Sequence, residues 1–348
     1  MLIQSRSGLV FVVSLLCLAT GSAQQLQPLS AKHTNRTIHL DVVVSAKGGS
    51  PVGGLQQQDF TILDNKTPQP ISSFRAVGER DAPAEIILLI DSVNTTYQNV
   101  SYIRDQVDKV LHAKDSHLDH PTALAFLSDD GAHMQNGFTK DGNALSTDLD
   151  KYTIGLRTIR RSSGVYGAEE RFQISTTALR QLAAHEATVP GRKLVLWISP
   201  GWPILSGPGI ELDNKQEQQI YSEIASISTE LREARITLYA VDPLGAGESV
   251  GRTNYYEQFL KGVSKASQVE IGNLSLQVIA AQSGGLVPNP SNDIASMLNL
   301  CLADTSNYYE ITFEGSPADR RDEYHHLEIK LAKPALLART RDGYYAQQ

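Results

Sequence analysis

Cysteine is almost absent, with Cys17 and Cys301 the only two in 348 residues. Cleavage of an N-terminal export segment would remove Cys17, so the remaining chain could form no internal disulfide and must be held by its own core. Long runs of one charge are missing too. The net charge of -7 is spread without a basic block, which excludes a nucleic-acid backbone as partner, because that partner requires clustered positive charge. There is no GxSxG elbow, no HExxH, no paired-cysteine spacing and no GxxxxGK[ST] phosphate loop. The glycine-rich stretch Gly245–Gly251 lacks the lysine-serine ending and reads as a surface loop. His112, His117, His120, His133 and His185 show no metal-ligand spacing, and the adjacent His325 and His326 would point to opposite faces of a strand. The remaining catalytic reading is a hydrolase working through unrecognised residues.

The first residues, MLIQSRSGLVFVVSLLCLATGSAQQ, place Arg6 before an apolar segment from Leu9 to Ala19 and end on small residues at Gly21–Ala23. This reads as an export signal over residues 1–23, with an apolar run too short for a comfortable membrane span. The expected location is periplasmic, outer-surface or extracellular, with no membrane span after cleavage. Glycosylation patterns begin at Asn35, Asn94, Asn99 and Asn273, and they matter only in a host that glycosylates.

Three short apolar runs follow, Ile38–Val44, Phe60–Leu63 and Ile71–Val77, separated by the turn-rich GGSPVGG and DNKTPQP. They predict strands of a small β unit over residues 36–80. From Glu85 the pattern alternates. Strands are expected at Ile86–Ile90, Thr122–Leu127, Lys193–Ile198 and Ile236–Val241, with an edge arm near Ala132–Phe138. Helices are expected at Val100–Leu111, Gly142–Tyr152, Phe172–Ala187, Gln216–Arg232, Val269–Ala281 and Ile294–Leu302, the last two flanking a short strand at Gly284–Val287. Cys301, inside the apolar run Met297–Leu302, reads as a buried small hydrophobe. This order predicts an α/β unit over residues 83–305, a mainly parallel sheet with helices on both faces. Tyr308–Phe313, His325–Leu331 and an arm in Leu336–Tyr345 are strand-like. Residues 306–346 are expected to pack with the N-terminal strands, placing Ile38–Val44 near His325–Leu331.

Ligands of an open α/β sheet sit beyond the carboxyl ends of its strands. The candidate floor is therefore Asp91–Thr95, Asp129 with Asp130, Ser199–Trp202 and Asp242. Asp91, Ser92, Asn94 and Thr95 carry oxygens of the kind that hard cations use. The alternative role for Asp91 is local, capping a helix or bonding to the amides of its own loop. Trp197 reads as core packing, whereas Trp202 suits either a rim anchor for a protein or peptide or closure of the core.

The sequence resembles a von Willebrand factor A domain, and the whole chain resembles the secreted bacterial family called VWFA-related, acidobacterial type. Carrying the resemblance are Pro51–Lys66, Ile71–Phe74, the strand ending in Asp91–Thr95, and Arg339–Tyr345, in an order that spans nearly all of residues 36–346. Metal-binding members use a DxSxS motif, a threonine from a second loop and an aspartate from a third. Asp91 matches the motif's aspartate and Thr95 keeps a hydroxyl at the second serine, but Val93 replaces the first serine. Ser162 and Ser163 are the candidates for the middle loop, and Ser199–Pro200–Gly201 stands where the third-loop aspartate would be. The resemblance therefore implies a degenerate metal site, without a cofactor or with Mg²⁺ or Ca²⁺ at Asp91, Thr95, Ser162 and Ser163. Asn94, Asp129, Ser199, Trp202 and Asp242 would form the binding rim. The expected function is a secreted, non-catalytic module for a protein or cell-surface partner, its rivals being a cation-dependent adhesion module and a structural envelope role.

Overall fold

A computed structural model describes residues 36–78, 84–135, 137–151, 164–203, 211–244 and 255–347. The chain enters through β1 (Thr37–Ala46), β2 (Phe60–Asp64), β3 (Thr67–Gln69) and β4 (Ile71–Gly78). Asn65 and Lys66 link β2 to β3 with φ of 48° and 69°. Two left-handed residues give the tight hairpin turn whose twist matches that of its strands.

The α/β unit follows. Its strands are β5 (Glu85–Asp91), β6 (His117–Ser128), β7 (Gly131–Met134), β8 (Thr139–Asp141), β9 (Lys193–Ile198) and β10 (Ile236–Val241). Its helices are α1 (Tyr97–Leu111), α2 (Gly142–Lys151), α3 (Gly164–Glu186), α4 (Asn214–Glu233), α5 (Leu276–Gln282) and α6 (Ile294–Leu302). The sheet order is β10-β9-β5-β6-β7, parallel from β10 to β6, with β7 and β8 antiparallel to β6. The unit is α/β, a mainly parallel sheet with helices on both faces, as the alternation of apolar runs predicts.

Successive side chains of a strand point to opposite faces, and β5 shows how the sheet uses both. Ile87 and Leu89 join the core beneath α3, α4 and α5, whereas Ile86, Leu88 and Ile90 join the core beneath α1, α2 and α6. Cys301 on α6 is fully buried in the second core. α3 begins about two turns earlier than the apolar stripe from Phe172 suggests; Gly167 and Ala168 already pack inward there. The expected Val269–Ala281 helix is instead a 3₁₀ turn at Ile271–Leu274 followed by α5, with another 3₁₀ turn just before it at Ala266–Gln268. The Asn273 side-chain oxygen accepts from the Glu270 amide, and Ser275 caps α5, so polar side chains compete with the helix ladder at that point. Gly284–Val287 is not a strand; it contributes one bond to the sheet edge, from the Ala240 amide to the Leu286 carbonyl.

The chain closes with β11 (Asn307–Glu314), β12 (Glu323–Leu331), β13 (Leu336–Arg339) and β14 (Gly343–Ala346). Together with the N-terminal strands they make two four-stranded sheets, β13-β1-β11-β4 and β14-β12-β2-β3. β1 pairs with β11, not with β12, which pairs with β2 and β14. Leu40 of β1 and Leu327 of β12 nevertheless contribute to one core, from different sheets. Two ionic groups join this β unit to the base of the α/β unit. Arg235, held at φ 53° just past α4, reaches Asp41 Oδ1 at 2.6 Å and Glu310 Oε1 at 2.8 Å. Arg339 pairs with Asp304, which also accepts from Tyr239 Oη at 2.7 Å.

Candidate functional site

After Glu85, β5 is apolar from Ile86 to Ile90, so Asp91 emerges at the carboxyl edge while still fully buried. Five donors surround its carboxylate. Oδ1 accepts from the amides of Val93 and Asn94, both at 2.9 Å. Oδ2 accepts from Asn94 Nδ2 at 2.8 Å, Ser199 Oγ at 2.7 Å and Trp197 Nε1 at 3.2 Å. A carboxylate has about four lone-pair positions, so the set saturates both oxygens. Of its two local roles, Asp91 bonds to the amides of its own loop. The α1 cap belongs to Thr96, whose hydroxyl accepts from the Asn99 amide at 3.3 Å.

The neighbouring loops are tied to the same point. Ser92 donates through its hydroxyl to the Leu127 carbonyl at 2.6 Å, which fixes the β5 loop to the end of β6. Asn94 Nδ2 also donates to Ser175 Oγ at 2.9 Å, drawing in α3. Ser199 accepts from the Gly201 amide at 3.0 Å while donating to Asp91. Val93, where the resemblance calls for a serine, is buried in the apolar core beside Trp197.

The other expected residues divide by exposure. Asp242 accepts from the Leu244 amide at 3.0 Å, a local turn at the end of β10, and Asp129 is half-buried in the β6–β7 turn. Trp202 is only 4% exposed, packs edge-on against Trp197 at 5.5 Å, and donates to the Leu274 carbonyl at 2.8 Å. It closes the core and is not presented to a partner. Thr95 is fully buried, and its hydroxyl has no hydrogen-bond partner among the described residues. Ser162 and Ser163 lie outside the described residues, as do the export segment and Gly245–Gly251. Asn94 and Asn273 are buried, so their glycosylation patterns are closed to modification in the folded chain.

Sequence reasoning missed Trp197 as a donor to Asp91 and Ser175 as an anchor for Asn94. The first had a signal: a buried tryptophan must place its N–H, and β9 lies beside β5. The second had none, because nothing in the order of residues places α3 against that loop. Among the described residues, no three His, Cys, Asp or Glu side chains gather into a metal-ligand group. A cavity of about 260 Å³ lies at the opposite end of the sheet, between Val110, Leu111, Leu118, His120 and Leu302.

No protein-family profile and no curated protein matches the chain. Similar solved structures include the SpRpn10 VWA domain, at 10% identity and TM-score 0.31, covering 68% of this chain and 100% of that one. The pilus adhesin SpaC from Lactobacillus rhamnosus GG is similar at 10% identity and TM-score 0.36 over 83% of this chain and 49% of that one. The manganese-loaded Plasmodium vivax TRAP protein is similar at 13% identity and TM-score 0.35, over 79% and 98%. The likeness is weak, concerns architecture, and decides nothing about activity or partners.

Proposed function

We propose that the chain is an exported, non-catalytic protein-interaction module whose loop end is closed by hydrogen bonds in place of a cation. The observation that carries this reading is the Asp91 carboxylate, which accepts from five donors of its own chain. A hard cation takes six or more oxygen ligands, carboxylates prominent among them. Here the carboxylate faces N–H and O–H groups, the Val93 side chain offers no oxygen, and Ser199 donates its proton to Asp91. These residues do not fit Mg²⁺ or Ca²⁺. The cation-dependent adhesion reading draws on the Thr95 hydroxyl, which has no hydrogen-bond partner among the described residues and by itself is a single neutral ligand.

A contact surface is offered above the closed loops. α3 carries Val165 and Tyr166 at its first turn, 64% and 89% exposed. α3 meets Asn94 through Ser175, so its first turn lies at the same end of the sheet as Asp91. An aromatic beside an aliphatic residue suits the anchor of a protein interface. The test is capture of a partner from the source organism by the immobilised chain, in Mg²⁺ and in chelator. The same partner should be retained in both and lost with Val165→Ser/Tyr166→Ala. Capture that needs Mg²⁺, or that ignores the double substitution, contradicts the reading.

A further inference from the structure

The half-open cavity of about 260 Å³ at the amino end of β5 is walled by two helices and the sheet. Its apolar lining is Ile86 and Leu88 of β5, Val110 and Leu111 of α1, Leu118 of β6 and Leu302 of α6. All but Leu118 and Leu302 are buried, so the floor and the α1 wall are core surface left open to a ligand. An apolar cavity of about 150 Å³ takes benzene. By proportion, this one holds roughly ten non-hydrogen atoms.

The polar side chains of the lining are committed in a way that selects what can enter. Lys114 Nζ and Asp119 Oδ2 pair with each other at 2.5 Å, and no other described Lys, Arg, Asp or Glu lines the cavity. The Thr122 hydroxyl donates to the His120 carbonyl at 3.0 Å, that of Thr305 to the Leu302 carbonyl at 2.7 Å, and that of Ser306 to the Ala303 carbonyl at 2.8 Å. A hydroxyl has one proton, so these three oxygens keep only acceptor positions. Asn299 adds a side-chain amide, and His117 and His120 add ring nitrogens.

We propose that this cavity binds a small, uncharged, largely apolar molecule carrying one N–H or O–H donor, of the size of a bicyclic arene such as indole. An ion would exchange water for apolar walls without meeting an unpaired counter-charge. An apolar body gains by leaving water, and its donor meets hydroxyl oxygens that have no proton of their own to offer. Apolar walls with a few convergent polar groups are the usual composition of a small-molecule site. Ala303, Thr305 and Ser306 carry the chain from α6 into β11. The bound molecule therefore touches both α helices and the segment that enters the terminal β unit, and it braces that joint.

The test is titration of the full chain at pH 8 with indole, benzothiophene and indole-3-carboxylate, followed by methyl NMR of Ile and Leu. Indole should bind saturably, with half-saturation below about 1 mM, and shift the methyl signals of Ile86 and Leu88. Benzothiophene, which has the shape without the N–H, should bind several-fold more weakly, and the carboxylate more weakly still. A ligand of the folded state raises Tm, so indole should raise the wild-type Tm and lose that effect in Leu302→Trp, whose larger side chain fills the cavity. Should Leu302→Trp fail to fold, the wild-type methyl shifts decide. No saturable binding of indole, shifts that avoid Ile86 and Leu88, benzothiophene or the carboxylate binding as tightly as indole, or a folded Leu302→Trp that keeps the full Tm gain overturns the proposal.

Discussion

Asp64, His325 and Tyr344 form a buried polar group in the terminal β unit, where β2, β12 and β14 meet. His325 Nδ1 lies 2.9 Å from Asp64 Oδ1, and Tyr344 Oη donates to Asp64 Oδ2 at 2.8 Å. The hydrogen bond to Asp64 raises the His325 pKa above 6.5 against the opposing effect of burial. Burial would raise Asp64, but hydrogen bonds from His325, Tyr344 and Ser316 outweigh it and hold the carboxyl below its usual value. A raised histidine binds its proton more tightly in the folded state, so its contribution is complete below 6.5 and is lost as pH rises through the folded pKa. Asp64 contributes above its ordinary pKa and loses that contribution as pH falls through its depressed one. The Tm advantage of wild type over His325→Asn should therefore shrink as pH is raised from 6 to 9 in parallel melts, and an advantage constant with pH contradicts this. At this scale the sequence shows its chemistry unevenly. Asp91 is legible because it ends an apolar run, but Asp64 and His325 are 261 residues apart, and only tertiary structure joins them.

Helices and strands were largely legible from their periods, and their limits depend on side chains that act locally. Asp213 caps α4, accepting from the amides of Lys215 at 2.9 Å and Gln216 at 2.8 Å, while Gln216 Oε1 accepts from the Asp213 amide at 2.9 Å. Asp213→Ala should cost about 1 kcal/mol, read as a lower urea midpoint at unchanged slope; an unchanged midpoint would show that the cap contributes nothing. The apolar run Ile38–Val44 announces a strand, and its partner stays hidden because Tyr308–Phe313 and His325–Leu331 are both compatible with it. Register decides between them: Leu40 opposes Ile311 and Val42 opposes Tyr309, which places apolar residues of both strands on one face. The Val269–Ala281 segment misled for a related reason. Its apolar spacing is helical, but Gly272 abuts the Phe259 ring so closely that an added Cβ would lie 2.5 Å from it, and the backbone there follows that contact.

At the scale of the whole molecule, β14 belongs to two cores at once. Tyr344 faces the core between the terminal sheets, and Tyr345 faces the core of the α/β unit, where its hydroxyl donates to the Val263 carbonyl at 3.1 Å. β11 lies between β1 and β4, so the N-terminal strands depend on residues near the other end of the chain. Deleting residues 306–348 should abolish the cooperative transition of the whole chain in near-ultraviolet circular dichroism; a truncated chain that melts with the wild-type midpoint would show that the units are independent. The same interlocking brings β5, β9 and α3 together at the loop end, where Asp91, Trp197, Ser199 and Asn94 close on one another. Calorimetric titration of Mn²⁺ and Mg²⁺ into chelator-treated protein tests that closure most directly. Heats indistinguishable from dilution, in the wild type and in Asp91→Ala alike, are the result expected from a carboxylate already saturated by its own chain. Saturable one-to-one binding that disappears in Asp91→Ala would contradict it.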